Sequence, residues 1–174
     1  MPGIGDPRFE RAVIFMCAHT TEQAMGLMIN KPKDEMTVGD VLDHLGIAAE
    51  PRFGPMAVLD GGPVGQDRGF VLHSHDFAVA DATQPLTSDV SLTTTRDVLE
   101  AMAGPTAPEH AVLALGFAGW GAGQLEEELR GNAWLVVETD GQIVFSGDHH
   151  AKWDRAIRKL GIDPAHLAGE TGRA

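Results

Sequence analysis

A chain of 174 residues with 43% hydrophobic content is long enough to close one sizeable core, so a single domain is the expectation. Its 25 acidic residues against 13 basic give a net charge of −12, a field that repels phosphate backbones and anionic lipid and argues against direct nucleic-acid binding. The longest apolar run, Ala12–Ala18, falls far short of the ~20 residues a membrane helix needs. No basic, apolar leader precedes it, and the lone Cys17 forms no internal disulfide, which places the chain in a reducing cytoplasm.

In chain order, Arg8–Ala18 reads as a buried strand, because Ala12 to Cys17 is continuously apolar with β-formers at its centre. After the polar turn His19–Gln23, Met25–Ile29 gives a second strand that stops at Asn30-Lys31-Pro32. Thr37–Leu45 carries Val38, Val41, Leu42 and Leu45 at helical spacing, with Thr37 and Asp40 as a capping box and Gly46 as the stop. Met56–Leu59 and Arg68–Ser74 read as strands around the turn Asp60–Pro63, and Phe77–Leu92 as one or two more. Thr94–Ala103 repeats the helical pattern, opened by Thr94 and Asp97.

Ala111–Leu115 reads as a buried strand entering the glycine-rich Gly116–Gly123, and Gln124–Arg130 as a short helix. Trp134–Glu138 and Gln142–Phe145 flank Asp140-Gly141, a two-residue hairpin signal. Ala151–Leu160 is a helix with Trp153, Ala156, Ile157 and Leu160 inward. Its Lys152, Arg155, Arg158 and Lys159 read as the solvated side. Without a strict βαβ rhythm, the class is α+β: a mixed, largely antiparallel sheet with several packed helices.

Four patterns invite chemistry. Strand, glycine loop and helix over 111–130 suggest a phosphate cradle, but Glu126 stands where the dinucleotide pattern needs its third glycine, and Glu126-Glu127-Glu128 repel an anion. His73-Ser74-His75-Asp76 places two imidazoles on one strand face without the further ligands of a metal motif; no metal is expected. Cys17 and His19 suit an imidazole-activated thiol, against the plainer reading of a small buried hydrophobe. Asn30, Arg68, His73, Trp120, Gly121, Gly123, Gln124 and Asn132 sit at strand ends and glycine turns, where loops carried on a sheet host binding sites.

Asp6-Pro7-x-Phe9, Met25-Gly26-Leu27-x-Ile29-Asn30-Lys31-Pro32, Gly61-Gly62-Pro63-Val64 and Arg68–Ser74 are blocks of one pattern. It continues through Gly116-x-Ala118–Glu126, Asn132-Ala133-Trp134-Leu135 and Trp153-x-x-Ala156 to Leu160–Pro164. In these ordered blocks, over nearly its whole length, the chain resembles the bacterial YqgE/AlgH family. The resemblance implies a cytoplasmic α+β domain with no agreed activity and no catalytic residues to carry over, some members being labelled transcriptional regulators, chiefly of alginate production. Family members carry an extra apolar stretch leading into the methionine-proline seen here as Met1-Pro2, so the resemblance implies either a lacking first strand, which leaves a sheet edge unpaired, or a start of translation assigned at an internal methionine, while 163–174 reads as a loose tail.

The expectation is a non-enzymatic regulatory or interaction module that takes a protein or small ligand, without cofactor, on a face holding Arg68, His73 and the Trp120 loop. If it regulates transcription, it does so indirectly, through a protein partner. The alternative is an enzyme or a nucleotide or small-ligand binder using Gly116–Gly123.

Overall fold

A computed structural model describes residues 5–47 and 52–167. After a 3-10 turn at Pro7–Phe9, capped by Asp6, the chain runs through β1 (Ile14–His19), β2 (Gln23–Met28), β3 (Pro32–Thr37), α1 (Val38–His44), β4 (Ala57–Asp60) and β5 (Val64–His73). It continues with β6 (Thr83–Pro85), β7 (Ser91–Thr93), α2 (Arg96–Met102), β8 (Ala111–Gly121), α3 (Gln124–Arg130), α4 (Gly141–Val144), α5 (Ala151–Lys159) and α6 (Pro164–Leu167).

The strands form one mixed, largely antiparallel sheet in the order β1-β2-β8-β5-β7-β6, with β3 and β4 as a side branch. β8 is its spine. One edge pairs with β5 from Ala111 to Phe117; the other holds β4 in parallel at Ala114–Leu115 and then β2 antiparallel at Ala118–Gly121. The change of partner falls at Gly116 (φ +76°), where Gly61-Gly62 crosses so closely that a Cβ on Gly62 (φ +146°) would lie 2.2 Å from the Phe117 carbonyl carbon. Only glycine fits such an approach.

Continuous apolar runs build this sheet because both its faces are covered, and the period of two then splits each run between two cores. Phe70, Leu72, Val112, Ala114 and Leu59 pack with Phe15, Leu27 and Val144 on one face. Val71, Leu113 and Val58 pack with Val38 and Leu42 of α1 and Val98 and Met102 of α2 on the other. α1 opens with the expected capping box, the Thr37 hydroxyl accepting from the Asp40 amide and the Asp40 carboxylate from the Thr37 amide.

Several expectations are corrected. The proposed hairpin around Asp140-Gly141 is absent: Asp140 caps α4, its carboxylate accepting the Gln142 amide, and among the described residues no strand pairing involves 134–138. β8 runs to Gly121, so most of the glycine-rich stretch is strand and not loop. β2 ends at Met28, ahead of Pro32 as expected, and Pro32 opens a separate strand, β3, whose strand partner among the described residues is β4. α2 starts at Arg96 with Thr95 as an N-cap that makes no side-chain bond. Lys152, read as solvated, is fully buried, because its ammonium donates to the Ile29 and Val144 carbonyl oxygens, each at 2.8 Å. The tail from 163 begins with α6, and its remainder from 168 lies outside the described residues.

Candidate functional site

Four of the eight candidate residues, Trp120, Gly121, Gly123 and Gln124, gather where β8 passes into α3, and a fifth, Asn132, closes the other end of that helix. Trp120 is buried, and its indole N–H donates to Glu128 Oε2 at 2.9 Å; the Trp134 indole donates to the same oxygen at 2.7 Å. The rings meet edge to face, 6.0 Å between centroids. Gln124 completes the cluster, its amide donating to Glu128 Oε1 and its Oε1 accepting the Gly121 N–H. Burial raises the Glu128 pKa, but the hydrogen bonds from Trp134, Trp120 and Gln124 outweigh it and hold the carboxyl below its ordinary range.

Gly123 is the left-handed residue preceding α3. Asn132 (φ +56°) closes the helix in a Schellman turn: its N–H meets the Leu129 carbonyl, and that of Ala133 the Glu128 carbonyl. The chain therefore leaves α3 with Trp134 already anchored.

The other three candidates lie elsewhere. His73 pairs with Ala111 at the far end of β8, about 30 Å from Trp120 along the strand. It is fully buried, with Nδ1 against the Ser74 carbonyl and Nε2 against the Thr93 hydroxyl, and burial lowers its pKa. Both ring nitrogens are occupied. Arg68 is exposed in the irregular stretch of β5 between Val64 and Gly69, over the Phe70 ring. Asn30 is buried and clamps the entry to β1, accepting from the Val13 amide and donating to the Arg11 carbonyl. A single face joining Arg68, His73 and Trp120 is not formed.

The thiol and phosphate readings meet geometric objections. Burial pushes the Cys17 thiol up to about 12, and beyond a bulge between Met16 and Ala18 the exposed His19 Nε2 meets Glu126 Oε1 at 2.6 Å. At α3, Glu126 and Glu127 fill the first turn, and Gln124 already occupies the Gly121 amide.

Sequence reading missed an apolar concavity. A slot of about 440 Å³ runs beside β1, bounded by Ile14 and Met16 on one wall and residues 134–140 on the other. Trp153, Ala156, Ile157 and Leu160 of the α5 segment line it, with Leu125 and Leu129 of α3 at one end. Its rim exposes Val136 (72%), Leu135 (40%) and Met16 (39%). The available signal was the apolar run Ala133–Val137, read as half a hairpin. The candidates touch the slot through Trp120, which lines it, and through Asn30, which fixes the strand forming its wall.

Comparison with known proteins matches residues 1–165 to the family model described as AlgH-like, DUF179. A UPF0301 protein of Caulobacter vibrioides is 50% identical over 175 residues, covering all of this chain and 90% of that one. A UPF0301 protein of Rhodopseudomonas palustris is 46% identical over 181 residues, covering 100% and 83%. The solution structure of the AlgH protein from Pseudomonas aeruginosa superposes with a TM-score of 0.79 at 38% identity, over 100% of this chain and 92% of that one. A crystal structure from Corynebacterium diphtheriae, at 20% identity and TM-score 0.75 over 91% and 82%, shares the fold.

Proposed function

The chain belongs to the AlgH-like family, and from that premise we propose a non-enzymatic cytoplasmic interaction module that docks a protein partner on the slot beside β1. Any regulatory effect then passes through that partner. The observation that carries this reading is the slot itself: an apolar concavity whose rim leaves Val136, Leu135 and Met16 exposed. Exposed apolar surface framed by polar residues is the signature of a protein contact. The chemistry around it supports binding over catalysis, since Cys17 is held as a thiol and His19 is engaged by Glu126. The net charge of −12 favours a protein partner over DNA for a regulatory role.

In-cell crosslinking and capture with the native chain, Val136→Asp and the distant control Arg68→Ala tests this. The expected result is one partner set shared by native and Arg68→Ala and lost from Val136→Asp. Equal recovery from all three removes the slot from the function.

A second reading, a small apolar ligand, is favoured by the slot's volume, which lies in the range of small-molecule sites. A thermal shift with fatty acids or aromatic acids that persists in Val136→Asp would support it over the partner reading.

A further inference from the structure

We propose that a second pocket, at the end of the sheet away from α3, binds a free α-amino acid with an apolar side chain. It encloses about 210 Å³ between the start of β8, the segment ahead of β4 and Phe145, and it shares no lining residue with the slot. Arg52 and Glu109 bring opposite charges to it. Arg52 Nη2 donates to the Glu109 backbone carbonyl at 2.7 Å, and the guanidinium carbon stands 5.3 Å from the centre of the Phe53 ring, which fixes the fork in place. Among the described residues no ion pair joins the two side chains, and neither the Glu109 carboxylate nor Arg52 Nε and Nη1 has a hydrogen-bond partner. The rim is set in advance by two members of the cluster first read as a metal candidate. Asp76 Oδ2 accepts the Glu109 amide at 2.8 Å, Ser74 Oγ accepts that of His110 at 3.0 Å, and the Ser74 hydroxyl donates to Asp76 Oδ1.

These charges select the ligand. A simple anion is repelled by Glu109 and by a chain of net charge −12, and a simple cation by Arg52. A zwitterion meets both: the free edge of the guanidinium forks onto its carboxylate, and Glu109 accepts from its ammonium. A free α-amino acid carries the two groups on one carbon, whereas a peptide terminus offers one of them alone. The rest of the pocket is apolar. Phe53 and Ala111 are buried, Met56 is half-buried, and the Phe145 ring stacks on the His110 imidazole, 5.6 Å between centroids at 21°. That lining takes an apolar side chain. Volume sets the size: about 210 Å³ lies below the roughly 300–1,000 Å³ of sites for drug-sized ligands, which leaves room for one amino acid and none for a nucleotide.

The test titrates the isotope-labelled full chain with L-leucine, L-methionine and L-phenylalanine and follows its amide shifts by NMR. Saturable shifts at Phe53, Glu109 and His110, with none at Met16 or Val136, are expected. N-acetyl-L-phenylalanine and L-phenylalanine methyl ester keep the ring and lose one charge or the other, and each should bind at least about tenfold more weakly. Arg52→Met and Glu109→Gln, both at exposed positions, should melt as the native chain does and lose binding by the same factor, while Val136→Asp binds as the native chain does. Equal affinity for phenylalanine and either blocked form overturns the zwitterion. Undiminished binding by Arg52→Met or Glu109→Gln removes the ligand from this pocket, and no saturable shift with any of the three amino acids overturns the site outright. None of these results bears on the slot, whose partner is read through Val136, so the two proposals fail separately.

Discussion

At its β6 end the sheet stops in three residues, Thr83–Pro85, one of them a proline and none of them a large hydrophobe; at its β1 end it stops in six, beside an apolar slot. The first edge carries the devices that prevent further pairing: shortness, a missing amide and polar side chains. The second carries none of them along Ile14–Met16, although a bulge follows at Met16–Ala18. Inside the β6 edge, polar contacts form a closed set, the Thr93 hydroxyl meeting His73 at 2.8 Å and Thr83 at 2.7 Å. Beside β1 the side-chain bonds are equally complete around Glu128, but the backbone is not. The contrast separates an edge closed by its own side chains from one whose outward backbone groups, among the described residues, have no partner strand.

The severest way to break the comparison is Gly62→Ala, which places a methyl against the strand on which both edges depend. More than about 4 kcal/mol should be lost, and circular dichroism should show no cooperative melt. A normal melt would mean that β8 tolerates displacement at Gly116.

Lys152 ties the end of β2 to α4 on the β1 side. Burial, and then the charge of Arg155, lower its pKa to about 7, with His149, itself lowered by burial and by Lys152, close by. Unfolded, it stays protonated toward its ordinary 10.5, so between those values the unfolded chain binds more protons and stability rises with pH. Lys152→Met should lose that rise of a few kcal/mol, read from urea midpoints on either side of pH 8. Parallel pH profiles would refute the assignment.

Next in size, Glu128→Ala strips the acceptor from two indoles and should cost about 3 kcal/mol, freeing Trp134 and raising hydrogen exchange on the slot's outer wall. At the finished edge, Thr93→Val should cost about 2 kcal/mol without altering exchange beside β1. If Glu128→Ala leaves exchange beside β1 unchanged, the clamp does not hold that wall. The mildest test is Met16→Lys, expected within about 0.5 kcal/mol of native stability but slowing aggregation on heating, whereas Gln84→Lys at the other edge should change neither stability nor aggregation.

The parts legible in the sequence were those decided by local pattern. The α1 capping box, the bounds of α3 and the apolar face of α5 follow from residue spacing, and the α+β class from the order of elements. What escaped was decided across the chain. Asp140-Gly141 has hairpin chemistry, but Trp134 is tied to Glu128 and Lys159 reaches back to Glu138, Thr139 and Asp140, so the preceding segment meets no second strand. Lys152 shares helix α5 with Arg155 and Arg158, and only the carbonyls of Ile29 and Val144 distinguish it. Of the eight candidates read as one set, Trp120, Gly121, Gly123 and Gln124 lie together at the junction of β8 and α3, whereas His73 is separated from them by the unforeseen length of β8.

That strand has a consequence for how the protein is born. β2, β4 and β5 all seek β8 as partner, yet the ribosome makes all three before it reaches Ala111 and releases β8 later still. At roughly 5–20 residues per second, the first half of the sheet waits several seconds with only its local β1–β2 and β3–β4 pairings available. During that interval the strand edges that β8 covers stay unpaired, and translation pauses ahead of Ala111 should lower the yield more than pauses after Gly121.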